Sequence, residues 1–376
     1  MAANVDSQLT DAFFRLSLIA LNEKPNVSAV VSPFSIAMAL ATVNVGANEV
    51  TSREISDHVF AGMPKDQVAS WFRKFLVGDN GEPLWSGEYS PISIASAIYL
   101  QQTLRPLESF VTEVGENFDC PVKSVDFARE PQAQKDAINA FVEEATRGHI
   151  RGMLSDTDML NVRLVAVNAM YIQPNFVEEF DKADTKEAPF HNEDGSIKQV
   201  QMMNGRKKGY FYETDRYAYA QIRFMDRRSG KENEKFNFFF IVPKTDDLSA
   251  LKESFSSGNS SFSATTGGAA FSTNIQIQAL PKFKIDAYYR FKEILERLGI
   301  NQGASFSGIV EEASLYVDAV LHKAVFELDE KGVTAAADTA CMMPMRSYKT
   351  RNIRADKPFL YGVTFNGAPL FVGQFY

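Results

Sequence analysis

The chain has 376 residues, 45% hydrophobic and 12% aromatic, which is enough apolar sequence for a large buried core and excludes general disorder. Its formal net charge is −8, from 39 basic and 47 acidic residues, so it lacks the basic excess that is typical of nucleic-acid-binding proteins. The short basic clusters Arg206-Lys207-Lys208 and Arg227-Arg228 are therefore interpreted as solvated loop charges.

The N-terminal segment, Met1 to Thr10, is polar and lacks the pattern of a secretory signal. The longest apolar runs, such as Phe238 to Val242, are far too short to span a membrane. Two cysteines, Cys120 and Cys341, cannot form a disulfide framework. We therefore expect a cytoplasmic protein that is not bound to membranes, with unconventional release to the extracellular space as an open alternative.

The spacing of apolar residues predicts helices and strands along the whole chain. Helices are predicted over Thr10 to Leu21, Ser32 to Val45, Lys135 to Arg147 and Tyr288 to Leu298. Strands are predicted over Ile92 to Leu100, Leu164 to Ile172, Phe236 to Val242, Ile275 to Leu280 and Leu315 to Leu328, followed by a hairpin of Phe359 to Phe365 and Pro369 to Phe375 around Asn366-Gly367. Early helices with later strands predict the α+β class.

No linker divides the chain, so residues 1–376 are expected to form a single domain. The only stretch that looks weakly structured is Ser256 to Gly268.

Motifs for catalysis are absent from the sequence. There is no G-x-S-x-G elbow, no phosphate-binding glycine loop, and no C-x-x-C or H-E-x-x-H pair for a metal. The four histidines, His58, His149, His191 and His322, are scattered. We expect a protein that is not an enzyme and needs no metal or cofactor, with a hydrolase assembled in space as the alternative.

Residues 330–347 read EKGVTAAADTACMMPMRS and alternate with a period of two. Val333, Ala335, Ala337, Thr339, Cys341 and Met343 form one set, which is small or apolar. The other set contains Thr334, Ala336, Asp338, Ala340, Met342 and Pro344, and it holds the only charge. Because alternate residues of a strand face opposite sides of a sheet, this segment could lie in a sheet with Asp338 facing water. A surface helix rich in alanine is the alternative.

The same segment resembles the hinge of the reactive-centre loop of serpins. Glu330-Lys331-Gly332 is similar to the acidic-x-Gly start of that hinge, and Ala335-Ala336-Ala337 to its run of small residues. The hinge implied by the resemblance comprises Glu330, Gly332, Val333, Thr334, Ala335, Ala336, Ala337, Asp338 and Thr339. Val333 and Asp338 depart from the usual small or hydroxyl residues.

Further motifs extend the resemblance over nearly the whole chain. They are Ser32-Pro33-Phe34-Ser35, Val167-Asn168-Ala169-Met170-Tyr171, Leu280-Pro281-Lys282-Phe283, His322-Lys323-Ala324, and Asp356-Lys357-Pro358-Phe359-Leu360. Phe141 and Phe176 stand where serpins often have tryptophan, so the resemblance does not predict the details of side-chain packing near the entry point of the loop. The resemblance implies a single-domain fold with helices around three β-sheets and an exposed reactive-centre loop at about residues 330–356.

It also implies a mechanism, in which a protease cuts the loop and the hinge side then enters the main sheet. Family spacing puts the scissile bond between Arg346 and Ser347, and an arginine there favours a trypsin-like protease. A register shift within about 343–347, onto Met343 or Met345, is an alternative. Two different functions also stay open: cross-class inhibition of a cysteine protease, and a non-inhibitory carrier or chaperone role.

Ser32, Ser35, Asn168 and His322 match positions that serpins cluster beneath the main sheet. The resemblance implies that they form a buried hydrogen-bond network that helps to gate the opening of the sheet. Ordinary capping and core contacts are the alternative interpretation. We expect a monomer whose partner is a protease and not a nucleic acid.

Overall fold

A computed structural model describes most of the chain. The described residues are 2–77, 83–85, 90–156, 162–226, 231–290, 298, 300, 305–311, 319–333 and 350–376. The predicted cleavage site at Arg346–Ser347 and the hinge residues from Thr334 to Thr339 lie outside these residues.

Eight α-helices lie in the described part of the chain. They are α1 (Ala2–Leu21), α2 (Pro33–Val45), α3 (Glu49–Val59), α4 (Lys65–Leu76), α5 (Glu108–Phe118), α6 (Pro131–Ala145), α7 (Leu248–Ser256) and α8 (Phe262–Ala264). The second helix begins as the sequence predicts, because the Ser32 hydroxyl oxygen accepts the Ser35 N–H and Pro33 is the first residue. It is buried on almost every side.

Fourteen β-strands are present in the same residues. They are β1 (Ala29–Val31), β2 (Ile92–Gln101), β3 (Val122–Val125), β4 (Leu164–Ile172), β5 (Lys186–His191), β6 (Ile197–Glu213), β7 (Tyr217–Asp226), β8 (Lys231–Pro243), β9 (Phe271–Pro281), β10 (Phe283–Arg290), β11 (Ala319–Leu328), β12 (Arg351–Arg354), β13 (Phe359–Phe365) and β14 (Ala368–Phe375). The closing hairpin is confirmed, and Asn366 and Gly367 both have the positive φ (51° and 84°) that its tight turn requires.

The strands form two sheets among the described residues. One has nine strands in the order β1-β14-β13-β8-β7-β6-β9-β12, with β5 also paired to β6. The other has five strands in the order β10-β11-β4-β2-β3. Three sheets were expected, but the 17-residue strand β6 pairs with β5, β7 and β9 and so joins two of them into one.

Two elements differ from the sequence-based expectations. Tyr288 to Arg290 end the strand β10 and do not begin a helix, because Ile285, Ala287 and Tyr289 continue a period-two pattern of buried side chains. Ser256 to Gly268 was expected to be weakly structured, but it contains turns and two short helical pieces, Phe262–Ala264 and Thr265–Ala269. It contains α8, whose residue Phe262 stacks on Phe14 at 4.0 Å.

The described residues group into two compact units. The first contains Met1–Val31, Ile172–Asp286 and Phe326–Tyr376, and thus the whole nine-stranded sheet. The second contains Ser32–Tyr171 and Ala287–Val325, and thus most of the five-stranded sheet. In the part of the chain that is described, no helix combines the length and apolar character needed to cross a membrane.

Candidate functional site

Two separate groups of residues are candidates for function, and the first is the buried network of Ser32, Ser35, Asn168 and His322 within the second compact unit. The Ser32 N–H donates to Nε2 of His322 at 2.9 Å. The Ser35 N–H donates to the Ser32 hydroxyl oxygen at 3.1 Å, and the Ser35 hydroxyl donates to Oδ1 of Asn168. The network therefore connects the start of α2 to the neighbouring parallel strands β4 and β11.

His322 is neutral in this network. Its Nε2 accepts a backbone N–H, so the ring proton lies on Nδ1. Burial lowers the pKa of His322 to about 3, because the imidazolium ion would lose its hydration. Among the described residues, Nδ1 has no hydrogen-bond partner.

His322 and the two serines do not form a nucleophile–base pair. The imidazole accepts from the Ser32 backbone and not from a serine hydroxyl. The Ser35 hydroxyl donates to Asn168 instead, and all three side chains are buried. This geometry gives no support to a hydrolase built on these residues.

The second group is the loop stem, residues 329–333, where the chain leaves β11. Asp329 and Gly332 exchange backbone hydrogen bonds of 2.9 and 3.2 Å, and the Asp329 carboxylate accepts the N–H groups of Lys331 and Gly332. Gly332 has a φ of +139°. A Cβ atom there would lie 2.5 Å from the Pro174 carbonyl oxygen, so only glycine fits.

Glu330 fixes the stem by both its backbone and its side chain. Its carbonyl oxygen accepts the Phe180 N–H at 2.7 Å, and its carboxylate lies 2.8 Å from Nζ of Lys282. Burial is the largest single influence and would raise the pKa of Glu330, but the hydrogen bonds to its carboxylate, chiefly from the Lys282 ammonium, and the Lys282 charge together outweigh burial, and the net shift is downward. The carboxylate is therefore charged and paired near neutral pH.

Val333 is the last described residue of the stem. Its backbone lies beside the residues that follow β4. Its N–H donates to the Pro174 carbonyl oxygen at 2.9 Å, and Gly332 forms an antiparallel bridge with Asn175. The Val333 side chain is only 1% exposed. Phe176, which replaces an expected tryptophan, is fully buried and stacks on Phe224 at 5.2 Å.

Sequence reasoning missed part of this arrangement. It identified Glu330 and Gly332 but assigned no role to Lys282, Asp329 or Phe180. Lys282 stands 48 positions before Glu330, and no local pattern indicates that the two side chains meet. No group of three or more His, Cys, Asp and Glu side chains within the described residues is placed to bind a metal ion.

Comparisons with known proteins agree with this architecture. A sequence model of the family described as Serpin (serine protease inhibitor) matches residues 8–376. A serine protease inhibitor from Cyanea capillata is 30% identical, over 100% of this chain and 98% of that protein. Leukocyte elastase inhibitor from Homo sapiens is 27% identical, over 98% of this chain and 99% of that protein. The native stressed conformation of Arabidopsis AtSerpin1 has a TM-score of 0.84 at 22% identity and covers 100% of this chain and 98% of that one.

The neutral state of His322 predicts a specific loss of stability in acid. An unfolded histidine has a pKa near 6.5, whereas the folded value is about 3. Below pH 6.5 the unfolded chain therefore binds a proton that the folded chain rejects. This contribution to stability is complete above about pH 6.5 and is lost towards pH 3, at up to about 1.4 kcal/mol per pH unit.

The variant His322→Gln isolates this effect, since glutamine can accept the Ser32 N–H and does not titrate. Urea unfolding of both proteins between pH 7 and pH 4.5 measures it. We expect the free energy of unfolding of the unchanged protein to fall more steeply with acid than that of the variant. Equal slopes would show that His322 is not buried in its neutral form.

Proposed function

Because the chain belongs to the serpin family, a family of protease inhibitors, we propose that it is an inhibitory serpin that is cut after Arg346 by a trypsin-like serine protease. The cut loop then enters the five-stranded sheet between β4 and β11 and traps the protease. The proposal describes a monomer in the cytoplasm that supplies the trap, while the protease supplies the chemistry.

The observation that carries this proposal is the direction of the chain at the loop stem. Gly332 already bridges antiparallel to Asn175, and the Val333 N–H already bonds to Pro174. Both partners lie directly after β4 in the chain. A strand continued from Val333 would therefore run antiparallel to β4, with its first hydrogen bond in place.

The pairing of β4 with β11 supports the same route. The described register joins Ala319–Leu321 to Val165–Val167, whereas β11 continues to Leu328 and β4 to Ile172. Among the described residues, therefore, only a few ladder bonds must break for the strands to separate. Asn168 and His322 lie immediately beyond the paired residues, and we propose that the buried network gates this separation.

The chemistry of the cut follows from the proposed bond. The protease serine oxygen attacks the carbonyl carbon of Arg346, and the bond to Ser347 breaks with its nitrogen leaving as a new amino terminus. An ester then joins Arg346 to the protease. Insertion of residues 333–345 as a strand would extend about 40 Å and carry the protease with it before water cleaves the ester.

The choice of Arg346 is tested by removing its charge. Arg346→Gln should abolish complex formation with trypsin, because the carboxylate in the specificity pocket of trypsin then has no cation to bind. The assay is a denaturing gel that shows a covalent band at the summed mass, with sequencing of the released amino terminus, expected to begin at Ser347.

Lys349→Gln is the matched control, since it removes a nearby positive charge but leaves the proposed bond intact. It should still form the complex. A complex that persists with Arg346→Gln would show that the bond is elsewhere, for instance after Met343 or Met345. Cleavage of the unchanged protein without any covalent band would favour the carrier or chaperone role.

The hinge is tested by placing a charge in the small or apolar set that includes Ala335 and Ala337, which would face the inside of the sheet after insertion and is called the inward set. The alternate set with Ala336 and Asp338 is called the outward set. Ala337→Glu should convert the inhibitor into a substrate, because burying an unpaired carboxylate costs several kcal/mol, roughly, and slows insertion until the ester hydrolyses. Ala335→Arg should act in the same way. The measurement is the ratio of covalent complex to cleaved inhibitor after reaction with trypsin.

Ala336→Glu introduces the same carboxylate on the outward set, where it faces water after insertion. It should retain most of the complex formed by the unchanged protein. Equal loss of complex in Ala336→Glu and Ala337→Glu would contradict the assignment of the two faces.

A further inference from the structure

The sequence suggested that the basic cluster Arg206-Lys207-Lys208 lies in a solvated loop, but the structure shows otherwise. It lies within β6, where alternate side chains face opposite sides of the sheet. Arg206 and Lys208 are exposed, but Lys207 is only 4% exposed. Keeping an amino group charged in a buried position costs free energy unless other groups stabilise the charge, so the contacts of Lys207 are informative.

Lys207 contacts the segment that precedes β5. Its Nζ donates to the Glu179 carbonyl oxygen at 2.6 Å and lies 4.2 Å from the centre of the Phe180 ring. A charged amine strengthens both contacts, the first as a charge-assisted hydrogen bond and the second as a cation–π interaction. The side chain thereby joins β6 to the backbone at residues 179 and 180.

The other side of this segment holds the loop stem. We name residues 174–180 the support segment, because three backbone hydrogen bonds join them to the stem. Phe180 donates to the Glu330 carbonyl at 2.7 Å, Phe176 donates to the Lys331 carbonyl at 2.8 Å, and Val333 donates to the Pro174 carbonyl at 2.9 Å. The support segment thus lies between Lys207 and the stem.

We propose that Lys207 is a positioning residue for the reactive-centre loop, which holds the support segment in register so that the stem keeps its three hydrogen bonds until the loop is cut. The proposal rests on the proposed function only in what the loop does after cleavage. The contacts themselves do not depend on whether the protein inhibits a protease.

The ionisation of Lys207 gives the proposal a distinctive signature. Burial lowers the pKa of Lys207 to about 8, while the charges of Glu178 and Glu179 on the support segment act in the opposite direction. On the sheet side its neighbour is Ile275, and beyond it on β12 lies Arg351, whose guanidinium group faces Phe271 at 5.4 Å. Between pH 7 and pH 9 the ammonium loses its proton, and both of its contacts weaken.

Hydrogen exchange in the intact protein tests the positioning role of Lys207, measured at the three amides that join the support segment to the stem. The amides are those of Phe176, Phe180 and Val333, and their protection factors are compared so that the intrinsic pH dependence of exchange cancels. Lys207→Met at pH 7 should lower the protection factors about tenfold, roughly the loss of one charge-assisted hydrogen bond. Lys208→Met, which alters the exposed neighbour, should leave them unchanged.

A second variant separates positioning from a general structural role. Lys207→Arg keeps a cation that does not titrate in this range. The protection factors of the unchanged protein should fall between pH 7 and pH 9, whereas those of Lys207→Arg should stay constant. This comparison also decides the matter if Lys207→Met fails to fold.

Three results would overturn the proposal: unchanged protection in Lys207→Met, an equal loss in Lys208→Met, or the same fall with pH in Lys207→Arg. The outcome is separate from that of the proposed function. If none of the proteins formed a covalent complex with trypsin, the proposed inhibition of a trypsin-like protease would be wrong, while the exchange results would still decide the role of Lys207.

Discussion

Gly332 lies where the chain leaves β11, and its backbone fits so closely against Pro174 and Phe176 that no Cβ atom has room. This close approach, together with a φ of +139°, sets the direction of the backbone at Val333. The chain is turned back beside the residues after β4, and Val333 is already bonded there. Under the proposed mechanism this bond would be the first of a new strand, so the energetic question is what would delay insertion until the loop is cut.

We propose that restraint comes from polar groups that a fold optimised only for stability would not bury. Glu330 is paired with Lys282, His322 is kept neutral without a described partner for Nδ1, and Lys207 carries a buried amine. Glu330 lies in the stem, Lys207 contacts the support segment, and His322 lies on β11, one of the two strands between which the loop would insert. Burying such groups costs free energy, and that cost is consistent with a native state held in place by specific contacts and not by maximal burial.

The sequence predicted the elements whose patterns are local. The capped helix α2, the buried strand β4 and the Asn-Gly hairpin are confirmed, because capping, apolar runs and turn chemistry act within a few residues. It failed at Lys207, since a basic triplet looks the same in a loop and in a strand with one face buried. It also missed the pairing of Lys282 with Glu330, which only the tertiary fold brings together.

The family resemblance named the residues of the buried network, and their hydrogen bonds are described above, whereas periodicity alone could not have paired Asn168 with Ser35. That the network gates the sheet stays a prediction.

The proposed mechanism requires that the segment after Val333 is more stable as a strand within the sheet than outside it. The most direct test compares the melting temperature of the intact protein with that of protein cut once between residues 334 and 349 by a protease that it does not trap. About ten new backbone hydrogen bonds should raise the melting temperature by at least roughly 10 °C. A melting temperature that is unchanged or lower after the cut would contradict the account.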